Sequence, residues 1–296
     1  MPISARNNPH SLIGAHVSMA GGLDKAIERA AAIGANCAQI FSGSPRSWAR
    51  KLPEQKTLDK MFAKQEELGV KSIFTHALYL VNLASPKPDL LTKSTNSLIH
   101  DLKFDSLIKG SGVVVHLGSH LGRGWEAIKK DLLAKLKHIL SKTPPDSTLL
   151  IEDSAGQKGK IASELEEIRW LLDRLDSKRV GWCVDTCHAF AAGYPLVASS
   201  RYADQATKPD LVSAIKQLEL ATSLKCIHVN DSKVKFAAGD DKHDNIGEGL
   251  IPQEDLKAFL KTPIFAGTSL ITEAPGFDGK GPDKKNMKRL KKLVEE

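Results

Sequence analysis

Short apolar runs punctuate the chain at residues 12–17, 37–41, 70–75, 112–115, 148–151, 180–184, 224–227 and 269–272. Between them lie longer stretches in which apolar residues recur three or four positions apart. Leu23, Ile27, Ala30 and Ala31 form one such stripe. Leu58, Met61, Phe62 and Leu68 form the next, followed by Leu98, Leu102 and Leu107. The pattern continues with Ile128, Leu132, Leu136 and Leu140, then Ile161, Leu165, Ile168 and Leu172, and shorter helical stretches over 211–220 and 254–260. Runs of four to six residues read as buried strands and the stripes as amphipathic helices. The segment 189–209 is turn-rich instead, as is S-G-S-P-R-S-W at 42–48, a loop presenting Arg46 and Trp48.

Eight candidate strands separated mostly by helical patterns predict parallel pairing, because parallel neighbours need long crossover connections. An open doubly wound sheet collects its functional groups at one crossover point. Here polar, titratable residues close several runs instead: His76, His116, Glu152, Asp185, His228 and Glu273. Only a closed ring brings ends so far apart in sequence over one cavity. The expected fold is therefore α/β, a TIM (β/α)8 barrel with its chemistry at the C-terminal ends of the strands. The 296 residues accommodate such a barrel of roughly 250 residues with short additions. The expected division is an N-terminal extension over 1–11, the barrel over 12–275 and a basic C-terminal tail over 276–296.

Composition adds little. An apolar fraction of 41% argues for a folded globule, and a net charge of +7 points only weakly to a polyanionic partner. Cys37, Cys183, Cys187 and Cys226 lie in or beside apolar runs without zinc-ribbon spacing, and they read as buried free thiols in a reducing compartment. No stretch is long and apolar enough to span a bilayer, and the N-terminus lacks the apolar segment of a secretory signal. The run K-G-P-D-K-K-N-M-K-R-L-K-K at 280–292 carries seven basic residues against one acid, and suits a nuclear-import stretch, a backbone-contacting arm or a solvated terminal helix. The expected location is intracellular: the nucleus in a eukaryote if the tail directs import, the cytoplasm otherwise.

The candidate chemistry lies in nine residues: His76, His116, Glu152, Asp185, His188, His228, Asp241, His243 and Glu273. Imidazoles mixed with carboxylates are the ligand set of borderline divalent ions such as zinc. Any one of these histidines alone would read as an ordinary core or surface residue. A buried carboxylate, however, must be paired, protonated or metal-bound, and one metal cluster accounts for all of them together. Nine groups exceed what a single tetrahedral ion uses, so two or three ions are implied if all point inward.

Several motifs also carry a resemblance. They are G-A-H-V-S at 14–18, H-x-x-Y-L-V-N-L-A-S at 76–85, H-L-G-S-H-L-G at 116–122 and E-D-S-A-G-Q at 152–157. D-T-C-H-A-F-A-A-G-Y at 185–194, H-V-N-D-S-K at 228–233 and D-K-H-x-x-I-G-E-G at 241–249 complete the set. Over roughly residues 12–275 the chain resembles the endonuclease IV family of apurinic/apyrimidinic (AP) endonucleases. The resemblance implies a barrel with about three zinc ions per chain. His76 and His116 would bind the first, Glu152 would bridge it to a second completed by Asp185, His228 and Glu273, and His188, Asp241 and His243 would bind the third. Glu152 would be the catalytic bridging ligand that positions the attacking hydroxide. Arg46 and Tyr79 would enter the duplex and hold it open at the lesion. The implied reaction is hydrolysis 5′ to an abasic site in double-stranded DNA, leaving a 3′-OH and a 5′-deoxyribose phosphate, with removal of 3′-blocking groups at the same site. A monomer is expected.

Some positions depart from the usual family pattern. Leu117 stands where proline is common, Asp153-Ser154 where Asn-Thr is usual, and Lys242 where arginine is more frequent; the last strand reads I-T-E-A-P. None of the nine ligands is lost, but Asp153 places an extra carboxylate beside the bridging residue, where it can change ligand orientation. Two rival readings share the barrel. A sugar isomerase or epimerase would use one or two ions and leave the Asp241/His243 loop surplus, and a non-catalytic nucleic-acid binder would leave the ligands unexplained.

Overall fold

The computed structural model describes residues 12–157 and 159–295; the N-terminal extension expected over 1–11 lies outside the described residues. Ten strands are present among the described residues. Seven of them, β1 (Ile13–His16), β2 (Cys37–Phe41), β3 (Ser72–His76), β4 (Val113–Val115), β5 (Leu149–Glu152), β6 (Val180–Asp185) and β7 (Leu224–His228), follow one another around a barrel. Two short strands, β8 (Asp231–Ser232) and β9 (His243–Asp244), lie in a loop, and β10 (Ser269–Thr272) is the eighth barrel strand. All eight barrel strands run parallel. Each pairs with its sequence neighbour, β10 lies beside β7, and pairing of β10 with β1 closes the ring. Helices α1 (Leu23–Ala32), α2 (Gln55–Leu68), α3 (Pro88–Leu107), α4 (Trp125–Ser141), α5 (Leu165–Leu175), α6 (Thr186–Ala191), α7 (Leu211–Gln217), α8 (Gln253–Leu260) and α9 (Lys284–Glu295) connect or follow the strands.

Two separate hydrophobic clusters follow from strand alternation. Side chains at successive strand positions point to opposite faces. Ile13, Ala38, Ile73, Val113, Leu149, Trp182, Ile227 and Leu270 face outward and pack under the helices. Cys37, Phe74, Val114, Leu150, Cys183, Cys226 and Ile271 face inward and pack against one another in the barrel interior. On β1 the matching inward position is Gly14. A Cβ there would lie 2.0 Å from the Cys37 carbonyl oxygen, so no other residue fits.

The expected strands sit where the apolar runs placed them, with small shifts. The third starts at Ser72 instead of residue 70, because Val70 closes the turn after α2 through its N–H to the Gln65 carbonyl (3.2 Å). The segment expected to be turn-rich begins with a short helix, α6, whose N-cap is Asp185. Trp48 is only half-presented to solvent, because part of its ring packs against the core. The basic run near the C-terminus forms α9. Its outer face is lysine-rich, but Met287, Leu290, Leu293 and Val294 are buried, and the helix packs against α8, β1 and β10.

Candidate metal centre

Counting two residues on from each inward apolar position leads to the top of the barrel. From Cys37, Phe74, Val114, Leu150, Cys183, Cys226 and Ile271 the count reaches Gln39, His76, His116, Glu152, Asp185, His228 and Glu273. Gly14 leads in the same way to His16. The barrel interior therefore passes, in one step along every strand, from an apolar layer to a ring of imidazoles, carboxylates and one amide.

Glu152 is the centre of that ring and is wholly buried. Its Oε2 lies 3.3 Å from His76 Nε2 and 3.1 Å from His116 Nε2, and its Oε1 lies 2.8 Å from His228 Nδ1 and 3.6 Å from His188 Nδ1. His228 Nδ1 is also 3.5 Å from Glu273 Oε2 and 3.9 Å from Asp185 Oδ2. The outer part of the site comes from a helix and a loop. Asp241 reaches His188 Nε2 and His243 Nε2, each at 3.2 Å, and His243 Nε2 is 3.4 Å from Asp185 Oδ2. All nine residues singled out in the sequence thus meet in one place.

The ring also holds residues outside that sequence-derived set. The Gln39 side-chain amide donates to Glu273 Oε1 (2.6 Å), and its Oε1 lies 2.9 Å from His228 Nε2. His16 Nδ1 lies 3.0 Å from Glu273 Oε1. Asn230 Nδ2 donates to Asp185 Oδ2 (2.6 Å), while its Oδ1 accepts the Glu273 N–H (2.8 Å). Asp185 divides its two oxygens. Oδ1 caps α6 by accepting the N–H groups of Cys187 (2.6 Å) and His188 (3.2 Å), and Oδ2 faces the site. The cap turns His188 inward.

The loop carrying Asp241 and His243 is built around Asp231. Strands β8 and β9 pair antiparallel, with Ser232 opposite His243. The buried Asp231 carboxylate accepts N–H groups from Ser232, Gly247, Gly249 and Ile251 at 2.8–3.2 Å, and an amide N–H from Gln253 at 3.2 Å. Gly249 lies so close that a Cβ would sit 2.4 Å from Asp231 Oδ1. Helix α9 braces the loop from outside. Asn286 accepts the Ile246 N–H (3.1 Å) and donates to Asn245 Oδ1 (2.8 Å), and Arg289 pairs with Glu248 at 2.7 Å.

Electrostatics and hydrogen-bonding capacity both suit cations here. Burial pushes the Glu152 carboxyl up, but His116 and His228 outweigh it and hold it well below the usual carboxylate range. Burial lowers His228, and the Glu273 and Glu152 carboxylates more than reverse that. His116 is dominated by burial and falls to about 4. His76 Nδ1 donates to the Ala77 carbonyl at 2.6 Å, so in the neutral ring Nε2 presents a lone pair to the Glu152 carboxylate. Two acceptors facing one another need a proton or a cation between them. Among the described residues His188 Nδ1 and His243 Nε2 are buried and make no well-aligned hydrogen bond, though they lie within ion-pair range of Glu152 and of Asp241 and Asp185 respectively. Three overlapping groups have ligand atoms close enough to hold ions: His76, His116 and Glu152; Glu152, Asp185, His228 and Glu273; and Asp185, His188 and His243. Asp241 and His243 also form a group with Cys187.

Arg46 and Tyr79 are exposed. Tyr79 stands edge-on to Phe41 at 5.2 Å and 5.3 Å from the His76 ring, so it is at the lip of the site. The loop bearing Arg46 is anchored by the neighbouring Arg50, which forms a buried ion pair with Asp101 and bonds Ser97 Oγ (2.5 Å) on α3. Beside the ring a cavity of about 620 Å³ is lined by His16, Phe41, Ser44 and Lys280, among others. Of the departures, Leu117 is buried in the outer cluster, and Lys242 points outward to Asp240 at 2.6 Å. Asp153 is buried and accepts the Asp185 N–H at 2.7 Å, and burial pushes its carboxyl up to about 7. Among the described residues no helix is long and apolar enough to cross a membrane.

Residues 27–293 match the family model described as xylose isomerase-like TIM barrel. The chain is 36% identical over 272 residues to a probable endonuclease 4 of Halothermothrix orenii, covering 92% of this chain and 96% of the relative. It is 35% identical to a probable endonuclease 4 of Persephonella marina, covering 95% and 96%. The crystal structure of endonuclease IV from Thermus thermophilus superposes with a TM-score of 0.81 at 31% identity, covering 96% of this chain and 99% of that one. A D-tagatose 3-epimerase-like protein shares the fold, with a TM-score of 0.72 at 18% identity. Taken with a ring of buried imidazoles and carboxylates at the C-terminal ends of the barrel strands, these likenesses show that the chain belongs to the endonuclease IV family of AP endonucleases, within the xylose isomerase-like TIM barrels.

Proposed function

We propose that this AP endonuclease is a three-zinc enzyme that hydrolyses the phosphodiester 5′ to an abasic site, leaving a 3′-OH and a 5′-deoxyribose phosphate, and that the same site removes 3′-blocking groups. The observation that carries the reading is the convergence of four imidazoles on the buried Glu152 carboxylate. His76 and His116 would hold the first ion, with Glu152 bridging to a second held by Asp185, His228 and Glu273. His188, Asp241 and His243 would hold the third. When bound, clustered zinc supplies charge neutralisation for the phosphoryl oxygens and an acidified water at neutral pH.

The protein's own part is placement. Glu152 is fixed from both oxygens, Asn230 and Gln39 orient Asp185, Glu273 and His228, and the Asp185 cap aims His188. Every proposed ligand comes from one barrel, which supports a monomer as the working unit. The four buried free thiols fit an intracellular, reducing setting. In a eukaryote that setting includes the nucleus, where the DNA is.

Elemental analysis of protein purified without chelator tests the ion count, alongside nicking of a duplex with one abasic site. The expected result is about three zinc ions per chain with specific nicking; a reproducible value near one overturns the assignment. Arg46 and Tyr79 are assigned to holding the duplex open. Abasic DNA is already poorly stacked, so extrusion there costs less than the few kcal/mol of a paired site. Replacing both residues by Ala should leave metal content unchanged and weaken binding to abasic duplex more than to undamaged duplex. The titrations belong at one salt concentration, because salt alone shifts backbone affinity strongly. Equal losses on both duplexes would reduce the pair to backbone contacts.

A further inference from the structure

One layer below the ring, the barrel interior holds donors that phosphodiester hydrolysis does not use. Cys183 on β6 and Cys226 on β7 are direct partners across the parallel pair. Both are free and wholly buried. Each stands two residues before a member of the ring, Asp185 and His228 respectively. A sulfur from each and a ring nitrogen of His228 all lie within 4.8 Å of one another. The surrounding layer is Phe74, Val114, Leu150 and Ile271, with Cys37 completing it.

Buried cysteine commonly serves as a small apolar filler, and a single one would carry no further meaning. Two sulfurs converging with an imidazole are a different matter. That donor set selects soft cations, whereas the carboxylates and imidazoles above suit borderline ones. The side chains of that layer supply no oxygen ligand of their own, which disfavours hard ions such as magnesium or calcium. Charge balance points the same way. Exchange of two thiol protons for one divalent cation leaves two thiolates and a double positive charge, which is neutral overall. An apolar layer tolerates a neutral unit far better than an isolated ion.

We propose that Cys183, Cys226 and His228 form a binding site for a soft divalent d10 cation of the cadmium type. This site is distinct from the zinc-type groups above it but shares His228 with them. Occupation draws the imidazole toward the sulfurs and away from Glu152 and Glu273. The soft ion therefore inhibits by dismantling the second ion's ligand set from below, without competing for DNA.

The full-length zinc-loaded protein titrated with Cd2+ tests this through the ultraviolet thiolate-to-cadmium charge-transfer band. The wild type should develop a band that saturates at one equivalent, in step with loss of nicking. Cys226→Val should lose the band while keeping zinc-supported nicking in the presence of that equivalent of Cd2+. Cys183→Ala should lose the band from the other strand, so a folding defect in one variant does not decide the outcome. Cys187→Ala should retain it, separating this site from the Cys187, Asp241 and His243 group. Absence of the band in the wild type, its survival in either strand variant, or its loss in Cys187→Ala overturns the proposal. Because the band reports thiolate ligation whether or not the chain cleaves DNA, this inference fails or stands separately from the nuclease reading.

Discussion

The two halves of the candidate metal centre are positioned by different means. His76, His116, Glu152, Asp185, His228 and Glu273 sit on or directly after barrel strands, and the alternation of those strands aims them. Moving one of them requires moving a strand that is paired on both sides. Asp241 and His243 sit on a loop, and Asp241 is far more exposed than Glu152, with 36% of its side chain accessible against 0%. That loop holds its shape through Asp231 and its five donors, and through Asn286 and Arg289 on α9. The strand-borne half is rigid because the fold is rigid. The loop-borne half is only as rigid as a few buried hydrogen bonds.

The difference can be broken open by mutation. Glu152→Gln removes the charge on which four imidazoles converge and leaves the shape almost unchanged. Single-turnover cleavage of the abasic duplex should fall by about 10²- to 10³-fold, the scale of losing one group dedicated to transition-state charge. Near-normal rates with full metal loading would remove Glu152 from the bridging role. Asp231→Ala attacks the other half without touching a proposed ligand. It leaves buried backbone N–H groups unpaired and should cost about 1–3 kcal/mol of stability. It should also weaken the ion proposed at His188, Asp241 and His243 by about 10- to 100-fold, as loss of a supporting hydrogen-bond partner commonly does. Chelator competition should show one weakened ion and two unaffected ones. Uniform loss of all three would mean that the halves are not separable.

A carboxyl outside both halves supplies the smallest effect. Asp105 accepts a hydrogen bond from Thr75 Oγ1 at 2.8 Å behind the barrel wall, and burial pushes it up to about 7. A folded-state value above the unfolded one means that its contribution to stability is complete below about pH 4 and is lost as pH rises through about 7. Asp105→Asn should therefore flatten the decline in thermal midpoint across that window and leave metal content unchanged. An identical decline in the variant would assign it to other groups.

How far the sequence exposes the site follows the same division. The barrel strands are legible because each is an apolar run bounded by turns, and the ring because a polar residue closing an apolar run is conspicuous. Gln39 is legible in principle, being a polar residue two positions after the inward Cys37, but it lies in the middle of C-A-Q-I-F and does not close the run. His16 lies near the end of a run, yet it falls outside the nine-residue ligand set. Asp231 cannot be found this way. Its partners are mostly backbone N–H groups, which every residue except proline carries, so no side-chain pattern announces them. At α9 the seven basic residues from 280 to 292, six of them within the helix, mask the stripe Met287, Leu290, Leu293 and Val294, whose spacing of three and four marks a buried face.

The closure of the ring by β10 against β1, with α9 packed over both, has a consequence for how the enzyme is made. Synthesis runs from the N-terminus, so His16 leaves the ribosome long before its partner Glu273 exists. A nascent chain released before residue 269 has neither a closed barrel nor the carboxylate that meets His16 and His228. One released before residue 284 has the ring but lacks the asparagine and arginine that hold the Asp241/His243 loop. The strand-borne pocket is thus complete only once Glu273 has been made, and the loop-borne pocket gains its bracing only after Asn286 and Arg289 have followed.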